Sequence, residues 1–294
     1  MNAIFSLLFG SALLGAGEPL QWKQTDSTLA LCARERILWQ LNYKQEEGKP
    51  YFHPLCLNDG TVLTALRPAD HVWHRGLWWS WKYINGTNYW EENKTTGLSD
   101  GRTSLLDVVV VPNTDHSARI EMSLAYHLPG KLPVMTEKRL LQISAPDLQG
   151  NYFIDWTSTF TAGSEELKLE RTPPQKYSGG YAGLSCRMAE AIKGWNYTSS
   201  EGVITSKGNY GKTARWLDYS KEGGVAIFDH PGNLRHPTTW YPNEMPFFSP
   251  AILFQEPLIL RAQSSLTLRY RVYIHSFPMD KKAMEEEWKK FAKP

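Results

Sequence analysis

Long apolar runs, cysteines and helical periodicity are all scarce in this chain, and each scarcity removes a class of protein. After residue 16 no stretch approaches the ~20 apolar residues that a membrane-spanning helix requires, so no stable membrane insertion of the mature chain is expected. Only three cysteines occur, Cys32, Cys56 and Cys186, at spacings that match no metal or redox motif. They allow at most one disulfide and read as small buried hydrophobes. Neither sign of charge prevails: 32 Lys and Arg against 30 Asp and Glu leave +2, and the densest basic run, Lys281 to Lys290, is broken by Glu285, Glu286 and Glu287. Without a basic patch, nucleic acid is not an expected partner. There is no G-x-S-x-G and no cysteine in a catalytic context, so the common nucleophilic hydrolases are not expected. Gly208 to Thr213 ends in G-K-T but lacks the first glycine of a phosphate-binding loop, which argues against a nucleotide cofactor.

What is present begins with MNAIFSLLFGSALLGAG, an apolar segment of signal-peptide length ending in small residues near Ala16. Residues 1–17 are therefore expected to be an export signal, and 18–294 a single domain that is secreted or periplasmic. The segment carries no Lys or Arg at its start, which counts against an export signal; no lipobox cysteine follows it, so a lipid anchor is not indicated. Sequons at Asn85, Asn93 and Asn196 would matter only in a host that glycosylates exported proteins.

The body is patterned for strands. Short segments separated by turn residues run Arg36 to Tyr43, Tyr51 to Leu55, Thr61 to Leu66, Leu77 to Tyr83 and Leu105 to Val111. Longer runs alternate strictly: Ile120, Met122, Leu124 and Tyr126 share one face, as do Tyr152, Ile154, Trp156 and Phe160, and Leu266, Leu268, Tyr270, Val272 and Ile274. Period two over such lengths predicts strands with one buried face. Helical spacing is clear only at the end, where Asp280 is placed to cap a helix carrying Met284, Trp288 and Phe291 on one stripe. Gly179-Gly180 and Gly223-Gly224 read as turns, and no linker or repeat divides the chain. The predicted fold is all-β, a large antiparallel sandwich with a short C-terminal helix.

The unusual chemistry is concentrated in Arg67 to Glu92, RPADHVWHRGLWWSWKYINGTNYWEE. Asp70, His71, His74 and Arg75 stand beside Trp73, Trp78, Trp79, Trp81, Tyr83, Tyr89 and Trp90, and the stretch closes with Glu91 and Glu92. Imidazoles and carboxylates move protons, guanidinium groups hold anions or hydroxyls, and indole faces suit the CH surfaces of a sugar. Packing alone accounts for any one of these residues; so many titratable groups among aromatics are costly to bury without a use. A later loop, Phe228 to Trp240, repeats the residue types with His230, Arg235, His236 and Trp240 and is stiffened by Pro231 and Pro237. His71 and His74 form an H-x-x-H pair that could hold a metal with His53, His230, His236 or a carboxylate, although the spacing lacks helical i, i+4 geometry.

Tyr51-Phe52-His53-Pro54, Asp70-His71-Val72-Trp73-His74-Arg75-Gly76-Leu77, Asp229-His230-Pro231-Gly232-Asn233 with Arg235-His236-Pro237 and Trp240, Glu256-Pro257-Leu258 and Leu268-Arg269-Tyr270-Arg271-Val272 together resemble the bacterial DUF6807 family, also labelled "methane oxygenase PmoA". The resemblance runs from about Tyr51 to His275. It implies a galactose-mutarotase-like supersandwich, in which a ligand lies on the concave face of one sheet, between loops. The label suits this chain poorly, because particulate methane monooxygenase is an integral-membrane copper enzyme and nothing after residue 16 here could cross a bilayer. One departure from the family pattern is Trp73-His74 where two adjacent histidines are expected, which weakens a three-imidazole metal site.

The resemblance and the residues together predict an exported carbohydrate-active protein using acid/base chemistry on a sugar. His74 is the leading acid or base, His71 its partner and Asp70 the orienting group, with Glu91 as complementary carboxylate. Arg75 and Arg235 would bind hydroxyls or an acidic group, and Trp79 and Trp90 would stack on the ring. His53, His230 and His236 would complete the lining, with Glu256 a second carboxylate candidate because mutarotase-like enzymes tend to place one on a late strand. A non-catalytic carbohydrate-binding protein and a metal-dependent oxidase or hydrolase are the alternatives.

Overall fold

The computed structural model describes residues 19–174, 179 and 182–293; the expected export segment and Gly180 lie outside them. The alternating runs form antiparallel strands, numbered in chain order. The front sheet has the spatial order β1 (Leu20–Gln24), β2 (Thr28–Ala33), β3 (Arg36–Asn42), β4 (Tyr51–Leu55), β5 (Leu77–Ser80), β13 (Gly183–Arg187), β18 (Phe247–Pro250) and β17 (Trp240–Asn243). The back sheet is ordered β14 (Asn196–Ser199), β15 (Trp216–Ser220), β16 (Gly224–Asp229), β20 (Ser265–His275), β11 (Tyr152–Ala162), β10 (Met135–Ile143), β9 (Ala118–His127) and β8 (Arg102–Pro112). A small third sheet runs β19 (Leu258–Leu260), β12 (Leu167–Glu170), β6 (Tyr83–Ile84) and β7 (Thr87–Asn88).

The two large sheets pack face to face, because each presents one apolar row to the other. Trp79 of β5 meets Phe160 of β11 at 4.9 Å between ring centroids, and Phe52 of β4 meets Trp156 at 6.4 Å. Tyr152 crosses the interface, its hydroxyl donating to the carbonyls of Leu38 and Cys56. The third sheet adds Ile84, Leu167, Leu169 and Leu260 to the same core. This is the predicted all-β sandwich. Among the described residues no helix is long and apolar enough to cross a membrane. Cys32, Cys56 and Cys186 are all buried as free thiols.

Three local differences from the sequence expectations have physical causes. Thr61 to Leu66 makes only isolated bridges, Cys56 with Val62, Thr64 with Met188 and Leu66 with Arg75, because its neighbours change every two residues. The Leu77–Tyr83 run stops at Ser80, where the Ser80 hydroxyl donates to the Tyr89 carbonyl and a following loop crosses the strand. The interior also holds an ion pair: Glu137 accepts hydrogen bonds from Arg139, Ser158 and Tyr126, and the Arg139 guanidinium lies 4.7 Å from the Trp156 ring centre. Four donor contacts on one carboxylate are what make such a buried charge tolerable.

Helix α2 (Lys281–Phe291) follows the four-residue α1 (Ser206–Asn209), and Asp280 caps α2 by accepting from the Ala283 amide at 2.7 Å. Its apolar stripe of Met284, Trp288 and Phe291 covers Trp216, Phe228 and Tyr273 on the outer face of the back sheet.

Candidate functional site

Alternation along β5 sends Leu77 and Trp79 into the sandwich and Trp78 to the other side. The registers extend that outer row across the front sheet: Trp78 lies opposite Tyr51 on one side and Ser185 on the other, Arg187 lies opposite Phe247, and Tyr241 lies opposite Ser249. Tyr51, Trp78, Trp90, Tyr241 and Phe247 form an aromatic cluster separate from the main core, flanked by Trp73, Met245 and Phe254. Two loops roof it.

The first loop is Arg67 to Arg75. Its base is closed by the Arg67 amide donating to the His74 carbonyl at 2.8 Å and by the Leu66–Arg75 bridge. Inside it, two turns follow each other, the His71 amide donating to Pro68 and the His74 amide to His71, each at 2.9 Å. Residues three apart through a tight turn fall on one side, so His71 and His74 stack with ring centroids 4.6 Å apart. Gly76 lets the chain leave the loop and enter β5: its φ is +68°, and a Cβ there would sit 2.3 Å from the Phe52 carbonyl oxygen.

The second loop, residues 88–101, is shaped by asparagines. The Asn88 side chain accepts from the amides of Trp90 and Glu91, and the Asn93 side chain from those of Thr95 and Thr96. Glu92 ties the loops together, accepting from Arg75 at 2.6 Å and from Arg67 at 2.8 Å, while Arg75 also reaches Glu47 at 2.9 Å. Burial alone would raise the Glu92 carboxyl, but Arg75, Lys49 and Arg67 together hold it below its usual range. Lys49 is buried beneath, donating to the Trp90 carbonyl and the Ser99 hydroxyl, and burial with the Arg75 charge brings it down to about 7.

On the solvent side, Asp70 is 46% exposed and lies 3.1 Å from Nδ1 of His71, which is 29% exposed. Arg187 grips Asp70 from below, its Nη2 donating to both carboxylate oxygens at 2.9 and 3.1 Å. Beneath His71, His74 is 1% exposed, stacked 5.2 Å from Phe247, 5.1 Å from Trp78 and edge-on to Trp90. Among the described residues neither ring nitrogen of His74 has a hydrogen-bond partner, and Nε and Nη1 of Arg187 have none either. Burial and the nearby charges of His71 and Arg187 drive His74 down to about 2, so its ring is neutral.

The structure thus gathers Asp70, His71, His74, Arg75, Trp90 and Glu92 at one site, and adds Arg187, Glu47 and Lys49, which sequence reasoning did not single out. Ser185 and Arg187 alternate with Leu184 and Cys186, a pattern that marks an outward face, but their nearness to Asp70 depends on topology. His53 sits further along β4 with Nδ1 3.0 Å from the Thr64 hydroxyl. Trp79 points into the sandwich core, and Glu91 pairs with Lys82.

The second segment builds something else. The buried Asp229 carboxylate accepts from His236 Nδ1 at 2.7 Å, from Asn233 at 2.8 Å and from the Thr238 amide at 2.9 Å. His236 lies parallel to Trp288 of α2, whose indole donates to the Asp229 carbonyl, and His230 meets Phe291 edge-on. Arg235, at φ +65°, has its guanidinium occupied by Glu256 and by the carbonyls of Ile252, Glu256 and Pro257. His230, Arg235, His236 and Glu256 therefore work in a loop-and-helix clasp whose partners differ from those of the first segment. Among the described residues no three His, Cys, Asp or Glu side chains gather as a metal-ligand set.

With this geometry in view, the family match is informative. The chain belongs to DUF6807, described as a family of unknown function, whose profile matches residues 28–289 and so covers both roofing loops and the clasp. No curated protein matches it.

Proposed function

We propose that the roofed outer face of the front sheet is the active site of an exported, carbohydrate-active protein performing acid/base chemistry on a sugar, without a nucleotide cofactor. The observation that carries this reading is His74: a fully buried imidazole, walled by Trp78, Trp90 and Phe247, with neither nitrogen partnered among the described residues. A buried polar group without a partner costs ~1–3 kcal/mol, and a site that binds sugar hydroxyls supplies such partners. The sheet face and loop roof also fit the galactose-mutarotase-like arrangement that the sequence resemblance implies.

The proton-moving pair in this reading is Asp70 and His71. His71 is reachable from solvent and its Nδ1 lies 3.1 Å from the carboxylate, whose charge would stabilise the imidazolium formed when Nε2 takes a proton from substrate. His74, held neutral, donates and accepts hydrogen bonds to orient the sugar. Trp73, edge-on to His71 at 5.3 Å, supplies an apolar wall. Localisation outside the cytoplasm rests on the first 17 residues of the sequence.

The test is a thermal-shift screen of mono- and oligosaccharides followed by turnover assays of His71→Ala. A sugar that raises Tm, with turnover lost in the variant at unchanged fold, supports the reading. A ligand that binds equally well and is not processed by either protein would instead mark a non-catalytic binder, which the neutrality of His74 also suits.

A further inference from the structure

We infer that the substrate is an oligosaccharide, and that a cleft walled by Trp195 holds the part of the chain beyond the unit under the roof. This deepens the active-site reading above and rests on it. The cleft lies where β14 and β15 meet the turn between β17 and β18, and its volume of about 560 Å³ falls within the ~300–1,000 Å³ usual for small-ligand clefts. Gly194, at φ +88°, turns the chain into β14 and leaves Trp195 half-buried in the cleft wall. Trp195 lies over Tyr219 with ring centroids 6.1 Å apart and planes 28° apart, and Tyr219 in turn lies 4.6 Å from Tyr197. The Tyr219 hydroxyl donates to the Ile192 carbonyl at 2.7 Å, so this aromatic ledge is anchored from behind.

The lining selects the ligand class. An indole kept partly in solvent on a rigid ledge suits the CH face of a sugar ring, and the rim of Ser206, Lys207 and Glu244 offers donors and acceptors to its hydroxyls. The charges balance, since Lys193 is paired with Glu190 at 2.8 Å and the exposed Lys207 and Glu244 are of opposite sign, which favours a neutral ligand. The cleft also stands back to back with the roofed face. Glu244 lines the cleft, whereas its neighbour Met245 flanks the aromatic cluster of the site. The Tyr197 hydroxyl lies 3.0 and 3.1 Å from the carbonyls of Asn243 and Phe247 and accepts from the Phe247 amide at 3.1 Å, while the Phe247 ring stacks on His74. One tight turn therefore separates the two places, and a sugar chain that crosses it meets both.

The experiment titrates the full chain calorimetrically with D-glucose, D-galactose, D-xylose and D-mannose, with their β-1,4-linked hexamers, and with adenosine as a flat-ring control. The expected result is that one hexamer binds about tenfold or more tightly than its monosaccharide. Trp195→Ala should bring that hexamer to within about twofold of the monosaccharide, whose own affinity stays as in the wild type, and Trp195→Phe should keep most of the advantage. Because Trp195 packs on Tyr219, Lys207→Ala on the exposed rim is the second variant, expected to weaken the hexamer about threefold and the monosaccharide not at all. Should Trp195→Ala fail to fold, an unchanged hexamer affinity in Lys207→Ala overturns the inference. So does a hexamer advantage that survives intact in folded Trp195→Ala, or adenosine binding as tightly as the hexamer and lost in the same variant. Monosaccharide binding with no hexamer advantage would overturn the inference while leaving the carbohydrate reading intact; binding of neither would overturn both.

Discussion

Arg75 donates to Glu92 at 2.6 Å with only 3% of either side chain exposed, and this contact, with that of Arg67 to the same carboxylate, joins the two loops that roof the site. Removing one partner leaves the other charged in a dry setting. Glu92→Ala should therefore lose ~3–5 kcal/mol of unfolding free energy, whereas Arg75→Met combined with Glu92→Leu should recover most of it. Urea denaturation of the three variants checks this, and a loss under 1 kcal/mol for the single change would mean that water reaches the pair.

His74 offers the opposite test. His74→Phe keeps an aromatic ring between Trp78 and Phe247 and removes two unpartnered nitrogens, so stability should hold or rise. Sugar binding should drop at least tenfold, read by titration. Retained binding would make His74 a packing residue.

The clasp should answer differently. His236→Ala breaks the contact with Asp229 and the stack on Trp288, and is expected to cost on the order of 1–3 kcal/mol in stability. Its sugar affinity should match the wild type. Weakened affinity at normal stability would show that the second segment reaches the ligand.

A pH effect is built into the back sheet. His275 faces the Phe277 carbonyl through Nδ1 at 2.7 Å and the Asp218 carboxylate through Nε2 at 3.0 Å, so both nitrogens face acceptors and the ring is held as an imidazolium. Burial would lower its pKa, but the charge and hydrogen bond of Asp218 with the Phe277 carbonyl outweigh that and raise it above 6.5. A raised folded value means that the stabilisation is complete below pH 6.5 and is lost as pH climbs through the folded pKa. Lys49 and His74, both lowered, contribute with the opposite sign, so the quantity to measure is the stability difference between wild type and Asp218→Asn across pH 5.5 to 9. The difference should shrink toward high pH; a flat difference would contradict a charged His275.

Much of this architecture could be read from alternation alone. The runs at Ile120, Tyr152 and Leu266 became β9, β11 and β20 with their apolar residues inward, and Asp280 caps the predicted helix. Asp70, His71 and His74 could be read as a site because their spacing is local: two turns stack the rings without help from the rest of the chain. Arg187 could not, since its link to Asp70 spans 117 residues and exists only once β13 lies beside β5. The same limit hid the different partners of the two histidine-rich segments, which are alike in composition. Trp79 and Trp90 look equivalent in sequence, and only the strand parity of β5 sends the first inward.

That parity has an evolutionary consequence. In β5 the residues that hold the two layers together and those that floor the roofed outer face are next-door neighbours, Trp79 and Trp78. Gaining or losing a single position within Leu77–Ser80 would exchange the two roles at once, turning the floor into filling and the filling into floor. Divergence among relatives should then show up as changed side chains along this strand and changed lengths only in the roofing loops, where a new ligand preference can be acquired without disturbing what lies underneath.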